Sequence, residues 1–350
     1  MAPPTAAISD TGSAKPLSFP RYLCSQIKTK PKPVTDVDLH GKTALVTGSN
    51  CGVGLETSRQ LLDLGLSKLI LAVRDEEKGR EAAAELSQGR KGFDPKTIEV
   101  WKLDQCEYGS VVAFADRAKR TLRRLDIAVL NVGIYPAKRR VNAETAHDEV
   151  IQVNYISTAL LAILLLPLAK RQPQPMRITF TSSETAAFTR FFPVGNPQQP
   201  IFPAMDAPGK AARNTADRMF VSKLLGQFFV AKLASVVPAR VAVINAASPG
   251  SVHDSRFARE FEGSKAGAVT KICLRRFGNT AAVGARMMTD AAVRHGEETH
   301  GKFLSFQKVI RMAPIIYTKN GAMISQHLWR ETMEELSFAN VAEILEDVAN

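Results

Sequence analysis

Cysteine is scarce in this 350-residue chain: the four are Cys24, Cys51, Cys106 and Cys273. They are far apart, with neither Cys-x-x-Cys spacing nor histidine company, so the sequence predicts no zinc or other metal site and no disulfide framework. Reduced thiols in a cytoplasmic protein fit that usage. An apolar run of signal-peptide type is missing too. Residues 1–36 are rich in Ala, Pro, Ser and Thr and read as a flexible arm, draped on the domain near Phe19 to Ile27. Only one long hydrophobic run exists, Val150 to Leu168. Gln152, Asn154, Ser157 and Thr158 interrupt it and Pro167 ends it, which predicts a buried helix and no membrane span. No internal repeat is visible.

What is present is the composition of a globular protein with an ample core, 45% hydrophobic and 23% charged. The net charge of +12 could point to nucleic acid. Yet the basic residues are scattered among acidic ones, as in Arg74-Asp75-Glu76-Glu77-Lys78, so the expectation is a solvated basic surface that favours small anionic ligands, with no nucleic-acid partner. A phosphorylated cofactor is the simpler partner.

Apolar, β-branched runs alternate with amphipathic segments, the pattern of a parallel sheet covered on both faces by helices. Strands are predicted at Thr43 to Val46, Lys68 to Val73, Thr97 to Leu103, Ile127 to Leu130, Arg177 to Thr181, Arg240 to Asn245 and Lys302 to Ser305. Helices are predicted at Gly52 to Leu64, Glu76 to Leu86, Tyr108 to Leu122, Ala143 to Leu168, Ala212 to Ser235 and Thr280 to His295. That order describes one α/β domain, residues 37–350, built on a Rossmann-type doubly wound sheet. Three stretches depart from the alternation. Residues 188–210, rich in Pro, Phe and Gly, read as a pocket loop whose Phe188, Phe191 and Phe192 suggest an apolar substrate; residues 251–266 read as a lid; Gln326 to Asn350 reads as an amphipathic helix packed on the domain.

Thr47-Gly48-Ser49-Asn50-Cys51-Gly52-Val53-Gly54 follows a strand and opens a helix, so its backbone can approach a pyrophosphate and offer it helix N-terminal amides. At the end of the second strand, where an NAD-binding domain carries an acidic residue, stand Val73 and Arg74. A carboxylate there would repel a 2′-phosphate, whereas an arginine can pair with it bidentately, so NADP(H) is the expected cofactor. Arg74 also reads as one member of a surface charge run. Asp104 ends the third strand at the carboxyl edge of the sheet, as an adenine neighbour or a helix cap.

The segment Asp217-Arg218-Met219-Phe220-Val221-Ser222-Lys223 resembles the active-site helix of the short-chain dehydrogenase/reductase family, whose signature is a tyrosine four residues before a lysine. The resemblance runs roughly from Lys42 to Leu336 and points to the retinol-dehydrogenase-like and fungal secondary-metabolism branches. It implies that Lys223 holds the cofactor ribose and that Ser183 hydrogen-bonds the substrate oxygen. Asn154 would hold a proton-relay water through its helix backbone. Asn131 and Gly133, in Leu130-Asn131-Val132-Gly133, match the element after the fourth strand, and Ser248-Pro249-Gly250 matches the turn near the nicotinamide, with Asp254 where a threonine is common. The resemblance also implies that Asp104 touches the adenine. The helices bearing Asn154 and Lys223 would supply the face of a homodimer.

Met219 departs from the pattern. A thioether has no ionisable proton, so Met219 can be neither general acid nor base. Tyr135, on the loop after Gly133, is the first substitute, followed by His253 and Asp254. The reaction expected is hydride transfer to or from a carbonyl or alcohol of a small lipophilic metabolite. Two alternatives stay open: a non-redox isomerase, dehydratase or cyclase on the same fold, or a non-catalytic NADP-binding partner protein.

Overall fold

The computed structural model of the chain describes Gln26 and residues 29–90, 93–189, 199–208, 214–261, 275–276 and 278–350, with only the backbone of Ala258. Most of the arm, Cys24, Cys273, Phe191, Phe192 and the last five residues of the lid, 262–266, lie outside the described residues. The elements run β1 (Thr43–Thr47), α1 (Gly52–Asp63), β2 (Lys68–Val73), α2 (Glu76–Ser87), β3 (Ile98–Lys102), α3 (Tyr108–Thr121), β4 (Ile127–Leu130), α4 (Glu149–Lys170), β5 (Met176–Thr181), α5 (Ile201–Asp206) and α6 (Thr215–Val236). After these come β6 (Ala242–Ala247), α7 (Ala281–Val293), β7 (Phe303–Ser305), β8 (Lys308–Ile310), α8 (Lys319–Glu335) and α9 (Val341–Ala349).

Among the described residues the strands form one eight-stranded sheet in the order β3-β2-β1-β4-β5-β6-β7-β8, in which β8 is antiparallel to β7 and the other pairs are parallel. Strand side chains alternate between the two faces of a sheet, and both faces here are buried. Ala44, Val46, Leu69 and Leu71 pack with Leu61, Ala82, Leu86 and Met288 of α1, α2 and α7. Leu45, Ile70, Ala72 and Ile178 pack on the other side with Val111, Phe114, Leu160 and Phe228 of α3, α4 and α6. Burying each of the larger aliphatic side chains stabilises the fold by about 1.5–3 kcal/mol. The doubly wound α/β architecture expected from the sequence is therefore the one observed.

Several boundaries differ from expectation for local reasons. The helix expected from Ala143 starts at Glu149, because Ala146 has φ +59° and Asp148 caps the helix, accepting from Val150 N at 3.1 Å and Ile151 N at 3.4 Å. The expected single C-terminal helix is two, divided at Asn340 with φ +51°. Inside the expected pocket loop, Ile201–Asp206 forms α5, whose first amides Ile201 N and Phe202 N both donate to Glu331 Oε2, at 2.9 and 2.8 Å.

Among the described residues two helices, α4 and α6, are long and apolar enough to cross a membrane, and 94% and 56% of their most apolar stretches are buried inside the protein. The apolar run around Leu160 is thus core, as expected. Lying against these helices are α8 and α9 of the same chain. Trp329 stacks on Phe229 at 6.0 Å, Thr332 Oγ1 lies 2.7 Å from Tyr155 Oη, and Lys170 pairs with Asp347 at 2.8 Å.

Candidate functional site

The site starts at the switch point of the sheet, between β1 and β4, where α/β proteins open a crevice beyond the carboxyl ends of the strands. Gly48 leaves β1 with φ +64° while its amide donates to Ala72 O at 2.8 Å. A Cβ on Gly54 would stand 2.4 Å from Gly48 O and 2.6 Å from Asn131 Nδ2, so only glycine lets α1 begin so close to the strand. Cys51, the residue before α1, gives no side-chain cap, which leaves the first-turn amides for another acceptor. Ser49 Oγ is buried without a hydrogen-bond partner among the described residues. Asn50 is half-buried in the same turn, and Val53 packs partly on the α1 side of the core. A close-approach glycine, uncapped amides and an orphaned hydroxyl fit a dinucleotide pyrophosphate.

Around this turn the other expected cofactor contacts fall along the same edge. Arg74, just past β2, is exposed and joins no ion pair among the described residues, since Asp75 beside it pairs with Lys78 at 2.8 Å and caps α2. Asp104 Oδ1 accepts from Cys106 N at 2.9 Å, so its carboxylate also shapes the turn into α3. Thr47 Oγ1 accepts from Asn131 N at 2.9 Å and Val132 N at 3.0 Å, pinning the loop after β4 to the end of β1. After β6, Gly250 has φ +69° and meets Gln26: a Cβ there would come within 2.7 Å of Gln26 Oε1, which accepts from Ser251 N at 2.8 Å. Pro249 O is close to α7 because Gly284 lacks a side chain; a Cβ there would lie 3.0 Å away.

Thr215, Met219 and Lys223 are spaced four apart on α6 and so share one face. Lys223 Nζ is buried and donates to Thr181 O, at the end of β5, at 2.9 Å. Burial lowers its pKa to about 8. Asn154 lies in a π-helical turn of α4, Gln152–Ile156, a widened geometry that recurs at functional sites. Its side chain is fully engaged: Oδ1 accepts from Ile134 N at 2.7 Å, while Nδ2 donates to Ile134 O and Ser222 Oγ, each at 3.1 Å. Asn154 therefore clamps the loop after β4 between α4 and α6. A Cβ placed on Gly133 would lie 3.6 Å from both Asn154 Oδ1 and Lys223 Nζ, so the three positions converge on one small space. Ser183 Oγ accepts from Thr185 N at 3.2 Å and from Thr185 Oγ1 at 2.9 Å, which leaves its own proton to donate.

The substitutes for the missing phenol are arranged differently. Tyr135 packs against Phe261 and Phe257, with ring centroids 4.6 and 5.8 Å apart. Burial raises its pKa, opposed in part by a hydrogen bond with Thr215. Thr215 is two turns from Lys223, about 12 Å along the helix axis at 1.5 Å per residue. The structure thus places Tyr135 among the aromatic rings of the lid, beside the loop after β4. Asp254 is exposed and accepts from Ala281 N at 2.6 Å, which commits it to the start of α7. His253 is half-buried, with its backbone amide bonded to Asn279 O at 3.0 Å.

Two residues of the site escape the sequence reading. Glu184 is buried and accepts from Ser248 Oγ at 2.5 Å and from Ser305 Oγ, tying the turn after β6 to β7. Its place directly after Ser183 is its only signal. Phe257, in the lid, lies within 3.4 Å of the Gly133 Cβ position, and its four-residue spacing from Phe261 is the pattern that could have flagged it.

Fold and site together define a doubly wound α/β protein with a dinucleotide cradle at its switch point. Residues 42–193 match the family model described as short chain dehydrogenase. The chain is 41% identical to "Short-chain dehydrogenase fogG" of Aspergillus ruber, covering 98% of this chain and 99% of that protein. It is 36% identical to "Short chain dehydrogenase/reductase mfmJ" of Annulohypoxylon moriforme, over 94% and 95%. Among solved structures, salutaridine reductase from Papaver somniferum superposes with a TM-score of 0.58 at 20% identity, covering 75% of this chain and 99% of that one. A putative gluconate 5-dehydrogenase from Beutenbergia cavernae with bound NADP gives 0.55 at 21% identity, over 77% and 96%. The chain belongs to the short-chain dehydrogenase family, oxidoreductases that use nicotinamide cofactors.

Proposed function

We propose that the protein is an NADP(H)-dependent oxidoreductase acting on a carbonyl or alcohol of a small lipophilic metabolite, in secondary-metabolite biosynthesis. The observation that carries this reading is the line formed along one sheet edge by the Gly48 to Gly54 turn, the free Arg74 and the buried Lys223. The turn, with Asn50, Gly52 and Val53, would hold the pyrophosphate, and Arg74 the 2′-phosphate. Asp104 would face the adenine, Asn131 and Gly133 the ribose, Lys223 the ribose hydroxyls, and Pro249 and Gly250 the nicotinamide end. The bound nicotinamide would supply or accept hydride. Ser183 has a proton to donate to the substrate oxygen. The π-helical turn at Asn154 suits a water held by the backbone, which would move the proton that no phenol carries.

The aromatic mouth of Tyr135, Phe257 and Phe261 supports an apolar substrate. The full-length fungal relatives are in keeping with secondary metabolism. Free Cys51 and Cys106 suit the cytoplasm. A homodimer through α4 and α6 would have to form around α8 and α9.

The experiment is single-turnover reaction of 4-deuterated NADPH with a panel of apolar ketones. Deuterium in an alcohol product is the expected result; a product isomerised without deuterium would sink the redox reading. That second reading, an isomerase, dehydratase or cyclase, draws on Met219, which carries no ionisable proton. Met219→Tyr should raise the reductase rate by about 10²- to 10⁴-fold, the usual contribution of a positioned acid.

A further inference from the structure

The strip after β6 closes over the site instead of bordering it. Phe257 is half-buried, and its Cε2 comes within 3.4 Å of the Gly133 Cβ position that Asn154 Oδ1 and Lys223 Nζ approach to 3.6 Å. The edge of a phenyl ring thus reaches the same point that Asn154 and Lys223 approach. Two residues earlier, Ser255 Cβ lies 3.3 Å from the Gly52 Cβ position, on the phosphate turn. Between them, Ser255 and Phe257 bridge from the turn to Lys223, the path a dinucleotide has to follow.

Two sets of contacts among the described residues fasten this strip. At its base, Ser251 O accepts from Asn279 N at 2.7 Å, His253 N donates to Asn279 O at 3.0 Å, and Asp254 holds Ala281 N at 2.6 Å. These contacts lie on the α7 side of the cleft. At its far end the strip is held by the tilted rings of Tyr135 with Phe257 and Phe261, by Ala137 N donating to Glu260 Oε2 at 3.2 Å, and by the half-exposed Arg140–Glu260 pair at 3.0 Å. An exposed pair of this kind contributes little. Among these contacts, the exposed ion pair and the single long hydrogen bond of the far end are weaker than the three hydrogen bonds of the base.

We propose that Phe257 is a resident ring in the nicotinamide end of the cleft, so that Phe257 and the nucleotide's ring exclude one another and binding requires residues 255–261 to swing out on the Ser251–Asp254 base. The inference rests on the nucleotide reading above and adds a self-occluding element to it. Affinity falls by the fraction of molecules that are open, so a strip closed nine times in ten weakens NADPH binding about tenfold.

The test is calorimetric titration of the full chain, wild type and Phe257→Ala, with NADPH and with 2′,5′-ADP, which lacks the nicotinamide. The expected result is about tenfold tighter NADPH binding by the variant with 2′,5′-ADP unchanged, and an intermediate gain for Phe257→Leu. Equal or weaker NADPH binding by both variants overturns the proposal while leaving the nucleotide reading intact. So does an equal gain for 2′,5′-ADP, because a ligand without the nicotinamide has no ring for Phe257 to exclude. If neither nucleotide binds wild type or variants, both readings fall together.

Discussion

Replacing Lys223 by methionine should make the nucleotide-free protein more stable at neutral pH. The ammonium is buried and its hydrogen bond to Thr181 O, at 2.9 Å, is to a neutral group. Burial alone brings its pKa from the ordinary 10.5 to about 8. At about 1.4 kcal/mol per tenfold, holding that charge in the folded state costs about 3 kcal/mol. The sign follows from the folded value lying below the unfolded one. Below pH 8 the lysine is charged in both states and the cost is fully present. Between pH 8 and 10.5 the folded amine is neutral while the unfolded one is charged, so wild-type stability rises with pH. Methionine removes the charge and forfeits one hydrogen bond worth about 1 kcal/mol, a net gain of about 2 kcal/mol at pH 7. Urea unfolding of both proteins at pH 7 and pH 10 reads this directly: the variant leads at pH 7 and its lead is gone by pH 10. A variant less stable at pH 7, or a difference that ignores pH, would refute the reasoning. If Lys223 holds the cofactor ribose as proposed, the same substitution should also abolish NADPH binding.

Other substitutions test other parts of the account. Burial alone would lower the pKa of His147, but Asp206, at 2.7 Å, and Glu335, at 3.3 Å, leave it raised to about 9. It stabilises the fold by up to about 3 kcal/mol below pH 6.5, a contribution lost as pH rises to 9; thermal melts of His147→Gln should show a deficit at pH 6 that closes by pH 9.5. Asp148→Ala removes the cap of α4 and strands buried Arg218, whose Nε donates to that carboxylate at 2.7 Å. Urea unfolding should show a loss of about 3–5 kcal/mol, far more than a cap alone. Gly54→Ala would press a methyl to 2.4 Å from Gly48 O, and should cost about 1–3 kcal/mol in urea unfolding together with most of the NADPH affinity in a titration.

Much of this fold is legible in the sequence because strands buried on both faces read as unbroken apolar runs. Leu69-Ile70-Leu71-Ala72-Val73 is such a run, and β2 has the expected limits. The start of α4 is not legible, since Ala146 takes a left-handed conformation that alanine does not advertise. The same holds for β8, three residues reached through left-handed Phe306 and Gln307. Asn340 does carry a signal, being of a residue type that tolerates that region. In the site, the glycine turn and Lys223 can be read from spacing because backbone and helix periodicity fix them. The packing of Tyr135 cannot, because its ring partners, Phe257 and Phe261, stand more than a hundred residues further along the chain. Glu184 is likewise set by partners in two distant strand ends, Ser248 and Ser305.

The most direct test of the central claim is a binding titration of the nucleotide-stripped protein with NADPH and NADH, repeated on Arg74→Ala. The account predicts that NADPH binds at least about tenfold tighter than NADH, and that Arg74→Ala erases the difference by removing a charge-assisted contact to the 2′-phosphate. Equal affinity for the two nucleotides would contradict the role of Arg74, and no binding of either would contradict the nucleotide site itself.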